Sequence, residues 1–386
     1  MEQIKQAHSE KNWYDKSYKW LLIPTTILFI ISILYLVNFY NTNGDIIYKD
    51  VSLTGGTTIS VFDKNVDVIK LKDALRESFP DLNVRIISNM QAGGQSGFTV
   101  ETKENVDIVK PKIEEYLGYK LISENSSIEF SSSNLSAGFY QQLRNSLIAA
   151  FLLMSWVVFF VFGASKKITG ITLMLTALGI KITLAQVGLI KIVAIFAILI
   201  GFFLAIWHSD KKDRIRTLLI SLIILGIFFF YAKLIILIPL GIVLIGLYAY
   251  YSMPSVVVIL CAFADIVMTI AVVDYMGINL STAGIVAFLM LIGYSVDTDI
   301  LMTTRLLKKK EGNVNSRLYG AFKTGMTMTL TSIASVGAAY IVIGNSSETL
   351  KQIFTILLIG LSFDIINTWI TNASILRWYM GAKKLL

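Results

Sequence analysis

The sequence is poor in the residues on which soluble enzymes and secreted scaffolds depend. Among 386 residues there is one cysteine, Cys261, and there are two histidines, His8 and His208. A lone cysteine excludes a disulfide-built fold. With the histidines so far apart, no metal-ligand spacing exists, and no metal or other cofactor is expected. Gly55-Gly56 lacks the downstream Lys-Ser/Thr of a phosphate loop. The pair reads instead as a tight turn or a close backbone approach. Charged residues make up only 16% of the chain against 55% hydrophobic, and mean hydropathy is +0.66. A chain this apolar is not disordered, and its long uncharged runs mark a polytopic α-helical membrane protein.

The charge is unevenly placed. Residues 41–143 carry 10 basic and 14 acidic side chains, whereas 144–386 carry 20 and nine. The basic excess sits in short loops between apolar runs, where it marks the cytoplasmic side. It therefore gives no reason to expect nucleic acid. Both termini are expected inside, with 1–19 a cytoplasmic N-terminus, 20–40 the first transmembrane helix and 144–163 the second. The run from Trp20 has no small-residue cleavage site after it and reads as a retained anchor.

Between these spans, 41–143 reads as a small extracytoplasmic α+β domain. Its patterns run Thr57–Phe62 strand, Val66–Phe79 helix, Val84–Ser88 strand, a turn at Gly93–Gly97, Phe98–Thr102 strand, Val106–Leu117 helix, then a strand ending near Phe130. That order predicts a split-βαβ, ferredoxin-like domain. Residues 164–251 contain four apolar runs, about 169–187, 188–207, 215–231 and 234–251. Lys181 interrupts the first, which is either re-entrant or snorkels its ammonium to an interface. Residues 252–386 form a four-helix transmembrane block, about 254–275, 281–304, 320–343 and 352–377.

That last block carries acids at depth: Asp265, Asp297, Asp299 and Asp364, with Asp274 near an outer end. A charge at the centre of a span costs about 2.5–3.5 kcal/mol even on the lenient scale, which makes each a functional candidate. On a regular helix Gly293, Asp297 and Thr304 share one stripe, while Ser295, Asp299 and Thr303 share another about 200° away. Thr324, Thr327, Thr331 and Ser335 form a stripe on the third helix of the block. Gly360, Asp364, Asn367, Thr371 and Ser374 form one on the fourth. Such stripes either converge on a polar interior or hold helices together. Asp297 is the first candidate for a protonatable site. Asp299, close to Arg305, is either titratable or a salt-bridged structural residue.

Several segments resemble one family. Thr54-Gly-Gly-Thr57 looks like the signature after the first span of SecD and SecF, accessory subunits of the protein-export channel. Ser133–Gly138 resembles the segment entering their second span. Most specific is Leu289–Arg305, which contains Gly293-Tyr294-Ser295-Val-Asp297-Thr-Asp299 and is similar to the fourth-span motif in its archaeal form. Lys323–Thr331 is similar to the archaeal fifth span. The resemblance covers about 1–163 and 252–386. It implies a six-span core like that of resistance-nodulation-division transporters, with about four extra spans inserted at 164–251. It also implies partnership with SecD beside the SecY-containing channel, exported protein chains as the cargo, and use of the proton motive force. The implied location is the cell membrane. By motif, Asp297 matches the functional acid of the equivalent SecD helix, while the bacterial SecF acid falls near Thr298. The fifth-span Arg of bacterial SecF is replaced here by Thr324, with Lys323 beside it. A stand-alone small-molecule or lipid exporter of the same superfamily is the alternative function, and a purely structural scaffold is a third reading.

Overall fold

The computed structural model describes residues 13–89, 94–163, 165–184, 188–210, 213–229, 237–308, 314–343 and 347–382. The first long helix, α1 (Trp13–Asn43), is followed by one turn, α2 (Val51–Thr54), capped by Asp50. The outer domain then runs β1 (Gly56–Val61), α3 (Val68–Arg76), β2 (Asn83–Asn89), β3 (Gly94–Thr102), α4 (Val106–Leu117) and β4 (Ser126–Ser131). Its sheet order is β2-β3-β1-β4, with every neighbouring pair antiparallel. The expected turn at Gly93–Gly97 is shorter than predicted. Gly94–Gly97 belong to β3, because both hairpin strands extend past a register shift at Ile87/Ser88. Gly93 lies outside the described residues.

Local chemistry starts each outer helix. The Asp67 side chain accepts from the amides of Ile69 and Lys70, and Asn105 accepts from that of Asp107, so orphan amide groups at both N-termini are satisfied. The buried faces, Val68, Leu71 and Leu75 on α3 and Val109 and Ile113 on α4, recur at helical spacing. They cover one side of the sheet through Ile59, Val61, Phe98 and Val100. The other side is polar. Ser60 and Thr99 hydroxyls lie 3.0 Å apart, and Arg85 Nη2 reaches Glu101 Oε2 at 2.7 Å. Between this polar face and Ser281, Thr282, Thr349 and Gln352 of the bundle lies a cavity of about 620 Å³.

Two glycines pinch the domain at its root. Gly55 and Gly56 have φ of +86° and +136°. A Cβ on Gly55 would lie 2.5 Å from Ser133 Cα, and one on Gly56 would lie 2.2 Å from the Thr102 carbonyl oxygen. Here the close approach read from the sequence has a physical cause. The chain leaves the domain through α5 (Ser133–Phe162), one helix of 30 residues whose first turns lie against α2.

Next come α6 (Lys166–Thr183), α7 (Gly188–Trp207), α8 (Arg214–Phe229) and α9 (Leu237–Tyr251). The expectation of four further spans thus meets four helices. Six other helices are long and apolar enough to cross a membrane among the described residues. Of these four, α7 is a 20-residue apolar helix, α6 carries Lys166, Lys167 and Lys181, and α8 and α9 have 16 and 15 residues. Helix α6 is their enclosed centre, with Ile168 through Gly179 all buried.

The last block comprises α10 (Met253–Tyr275), α11 (Thr282–Lys308), α12 (Val314–Ile343) and a long helix in three parts. Those parts are α13 (Glu348–Ile366), a π-turn at Asn367–Asn372 and α14 (Ala373–Ala382). The apolar core joins α5, α10, α11 and α13. At its outer end the link to the outer domain is a short backbone ladder. The Asp50 amide donates to Leu280 O at 2.9 Å, and the Leu280 amide donates to Tyr48 O at 2.7 Å.

Candidate functional site

The acids of the last block separate into a buried group and an exposed one. Asp265, Asp299 and Asp364 are each fully buried at 0% exposure, whereas Asp297 lies on the exposed side of α11. Asp297, the first candidate for a protonatable site, therefore does not join the buried group. The two-stripe geometry holds, but the stripe with Ser295, Asp299 and Thr303 faces inward. Met290, Gly293, Tyr294 and Asp297 face outward.

Three helices converge on the buried acids. Ser295 Oγ donates to Asp265 Oδ2 at 2.5 Å, and Asn367 Nδ2 donates to Asp265 Oδ1 at 2.6 Å. Asn372 Nδ2 donates to Asp299 Oδ1 at 2.6 Å. Thr368 Oγ1 lies 2.9 Å from Asp299 Oδ1 and 3.1 Å from Asp364 Oδ1. One hydroxyl has one proton to give. It can donate to one of these carboxyls, and the other contact is a hydrogen bond only when that carboxyl itself carries a proton. Among the described residues, none of the three acids is in an ion pair. Asp299 Oδ2, Asp364 Oδ2 and Asn372 Oδ1 are buried without a hydrogen-bond partner. The suggested Asp299–Arg305 bridge is not formed, because Arg305 Nη1 donates instead to Gly320 O at 2.7 Å, tying α11 to α12.

The threonine stripe of α12 does not join this cluster. Thr327 and Thr331 are exposed and Thr324 half-buried, each donating to a carbonyl of its own helix. The buried face of α12 is Ala321, Gly325 and Thr329, one step round from the predicted stripe. Of the residues on the predicted polar stripes, Ser295 on α11 and Asn367 on the last helix donate to the acids. Two further members, Thr368 and Asn372, were not anticipated, because α-helical spacing selects 364, 367, 371 and 374. The π-turn brings 368 and 372 inward instead. A run of Asn367, Thr368, Thr371 and Asn372 inside an apolar span was the signal available. Thr54, Gly55, Gly56 and Thr57 lie far from the acids, at the root of the outer domain. There Thr57 Oγ1 donates to Glu104 O at 2.6 Å.

Carboxyls outside the bundle are held differently. Asp63 sits below its ordinary range because it accepts from the Asn65 amide and the Tyr119 hydroxyl. Burial and the same bond to Asp63 push the Tyr119 phenol up to about 12. Burial raises Asp50, although Arg85 opposes it.

Comparison with known proteins places this architecture. Residues 215–382 match the family model for protein export membrane protein SecD/SecF, C-terminal. Protein-export membrane protein SecF of Methanothermobacter thermautotrophicus is 49% identical over 133 residues, covering 34% of this chain and 46% of that one. Over these stretches the chain is similar to the SecD/SecF protein-export family. The matched stretches span about half the length of this relative and of SecF from Pyrococcus furiosus, which is 40% identical over 142 residues, 37% of this chain and 47% of that one. SecF of Methanocaldococcus jannaschii is 28% identical over 379 residues, covering 96% of this chain and 99% of its own. That alignment extends across 164–251. The crystal structure of SecDF from Thermus thermophilus superposes with a TM-score of 0.52 at 13% identity, over 96% of this chain and 39% of that one. This likeness concerns the fold. Six helices among the described residues are long and apolar enough to cross a membrane, and together with the likeness to protein-export membrane proteins they support a multi-pass membrane protein.

Proposed function

We propose that this chain is an accessory subunit of the Sec protein-export machinery, working with SecD beside the SecY-containing channel and drawing on the proton motive force. The observation that carries the reading is the shared hydroxyl of Thr368 between Asp299 and Asp364. Buried acids served only by neutral donors change charge by taking or losing a proton, rather than standing as fixed ions. The work is then conformational: protonation biases two arrangements of the bundle, and the outer domain reads them out.

Asp297 supports the partnership. A carboxyl facing lipid at mid-span costs about 2.5–3.5 kcal/mol, and a second bundle covering the exposed stripe removes that cost. The strand order and antiparallel pairing favour a ferredoxin-like outer domain, placed outside the cell with both termini inside. Helices α6–α9 are read as additional spans flanking the core. The reading is not enzymatic.

The test has two arms. The tagged protein, purified in mild detergent, is expected to bring SecD-like and SecY-like subunits with it. Export into vesicles is expected to lose its driven component when a proton ionophore is added. A self-sufficient homo-oligomer that moves a dye would overturn the proposal. Ionophore-insensitive export by an intact complex would leave a scaffold and remove the motor.

A further inference from the structure

The long last helix is regular except at Asn367–Asn372, where it widens to a π-turn. All the side chains it contributes to the buried acids, Asn367, Thr368 and Asn372, lie within those six residues, beside Asp364. On a regular α-helix, residues five apart point about 140° away from each other. Asn367 and Asn372 could not then both reach the cluster formed by Asp265 and Asp299. A turn closing from i to i+5 brings them back onto one side. The wide turn is therefore what places these donors.

It also has a mechanical continuation. Past Asn372 the helix runs on as α14, whose Arg377 Nη1 donates to Asn315 Oδ1 at 2.5 Å and whose guanidinium lies over the Tyr18 ring. A helix that tightens from π to α geometry takes up one residue and turns everything beyond it by about 100°. We propose that the π-turn couples the charge state of Asp299 to the rotation of α14. An ionised Asp299 accepts from Asn372 and Thr368 and holds the turn wide. A protonated Asp299 has less need of two donors, and the segment relaxes toward an α-helix.

Four neighbouring elements bring side chains to the turn. Helix α10 brings Asp265 and Cys261, whose thiol lies 3.8 Å from Asn367 O, while α11 brings Asp299 and α13 brings Asp364. Helix α12 meets the turn through Phe322 and Gly325, against the Trp369 ring. Between Trp20 and Asn38, α1 offers no titratable group but Tyr35. The three acids are therefore the carboxyl groups that face it. The inference rests on the proposed use of protons, but it names which element moves and which residues position it.

The test labels Trp378 on α14 and Tyr319 on α12, both exposed, after substitution to cysteine; native Cys261 is buried and stays in place. Inter-label distances are measured by electron spin resonance on the full complex at pH 5 and pH 8. A shift of up to about 8 Å is expected, from turning a side chain of ~5 Å radius through one residue step. Asn372→Leu and Thr368→Val are expected to abolish the shift at unchanged melting temperature, while Thr368→Ser keeps it. An unshifted wild type, or a full shift in both Asn372→Leu and Thr368→Val, would overturn the inference. Ionophore-sensitive export without a shift removes this coupling alone. A shift with ionophore-insensitive export removes the export motor and leaves the π-turn switch standing.

Discussion

Glu101 in the outer domain and Asp299 in the bundle are both buried carboxyls, yet they are held in opposite ways. Glu101 meets Arg85 at 2.7 Å and also accepts from Asn83 at 3.1 Å. Asp299 meets an amide and a hydroxyl, and its second oxygen has no partner. A paired carboxylate is a fixed charge, because its partner would be stranded if it were neutralised. A carboxyl among neutral donors can be charged or uncharged without stranding another ion. The two regions thus differ: the domain pairs its buried Glu101 with a cation, and the bundle sets Asp299 among neutral donors.

The sharpest way to break that contrast is Asp299→Asn. It is expected to lower proton-driven export on the order of tenfold or more, the scale on which a positioned proton-transfer group acts. Insertion should be normal, and the check is an export assay with and without ionophore. Gly56→Ala comes next and acts on folding: its φ of +136° and the 2.2 Å approach to Thr102 O leave no room for a methyl. The expected loss is about 3 kcal/mol, read as a lower melting temperature of the outer domain. Glu101→Gln should cost about 2 kcal/mol through the charged hydrogen bond it weakens, with the ionophore response untouched.

Tyr119→Phe is the smallest, about 1 kcal/mol for the 2.7 Å bond to Asp63. Its sign with pH is fixed by the two shifts. The depressed Asp63 contributes stability above about pH 4 that is lost as pH falls through its folded value. The raised Tyr119 contributes below about pH 10 and loses that contribution as pH climbs through about 12. Melting curves across pH should show the gap between wild type and Tyr119→Phe closing at both ends.

Much of the fold was legible because its signals are periodic. Apolar runs located the six helices long and apolar enough to cross a membrane, and alternation with turn residues gave the βαββαβ order of the α+β domain. The glycines of Thr54–Thr57 announced a tight approach that Ser133 and Thr102 provide. What sequence could not give was which face of α11 turns inward. Asp297 and Asp299 sit on opposite stripes, and only packing against α10 and α13 selects between them. Thr327 and Thr331 misled for a related reason: their hydroxyls are satisfied by their own helix carbonyls and so say nothing about facing. Asn372 and Thr368 were hidden because the spacing rule assumes an unbroken α-helix, and the site is built where that assumption fails.

The glycine root of the outer domain has a consequence for how force travels. Strand β1 begins where α5 begins, and Tyr48–Asp50 are laced to Leu280 between α10 and α11. These attachments lie together at the root of the domain. A pull on any of its loops reaches α1, α5 and the α10–α11 hairpin at one patch. That hairpin also carries Asp265 and Asp299, so on the proposed function a load on the domain and a proton taken up in the bundle would act on one structural unit.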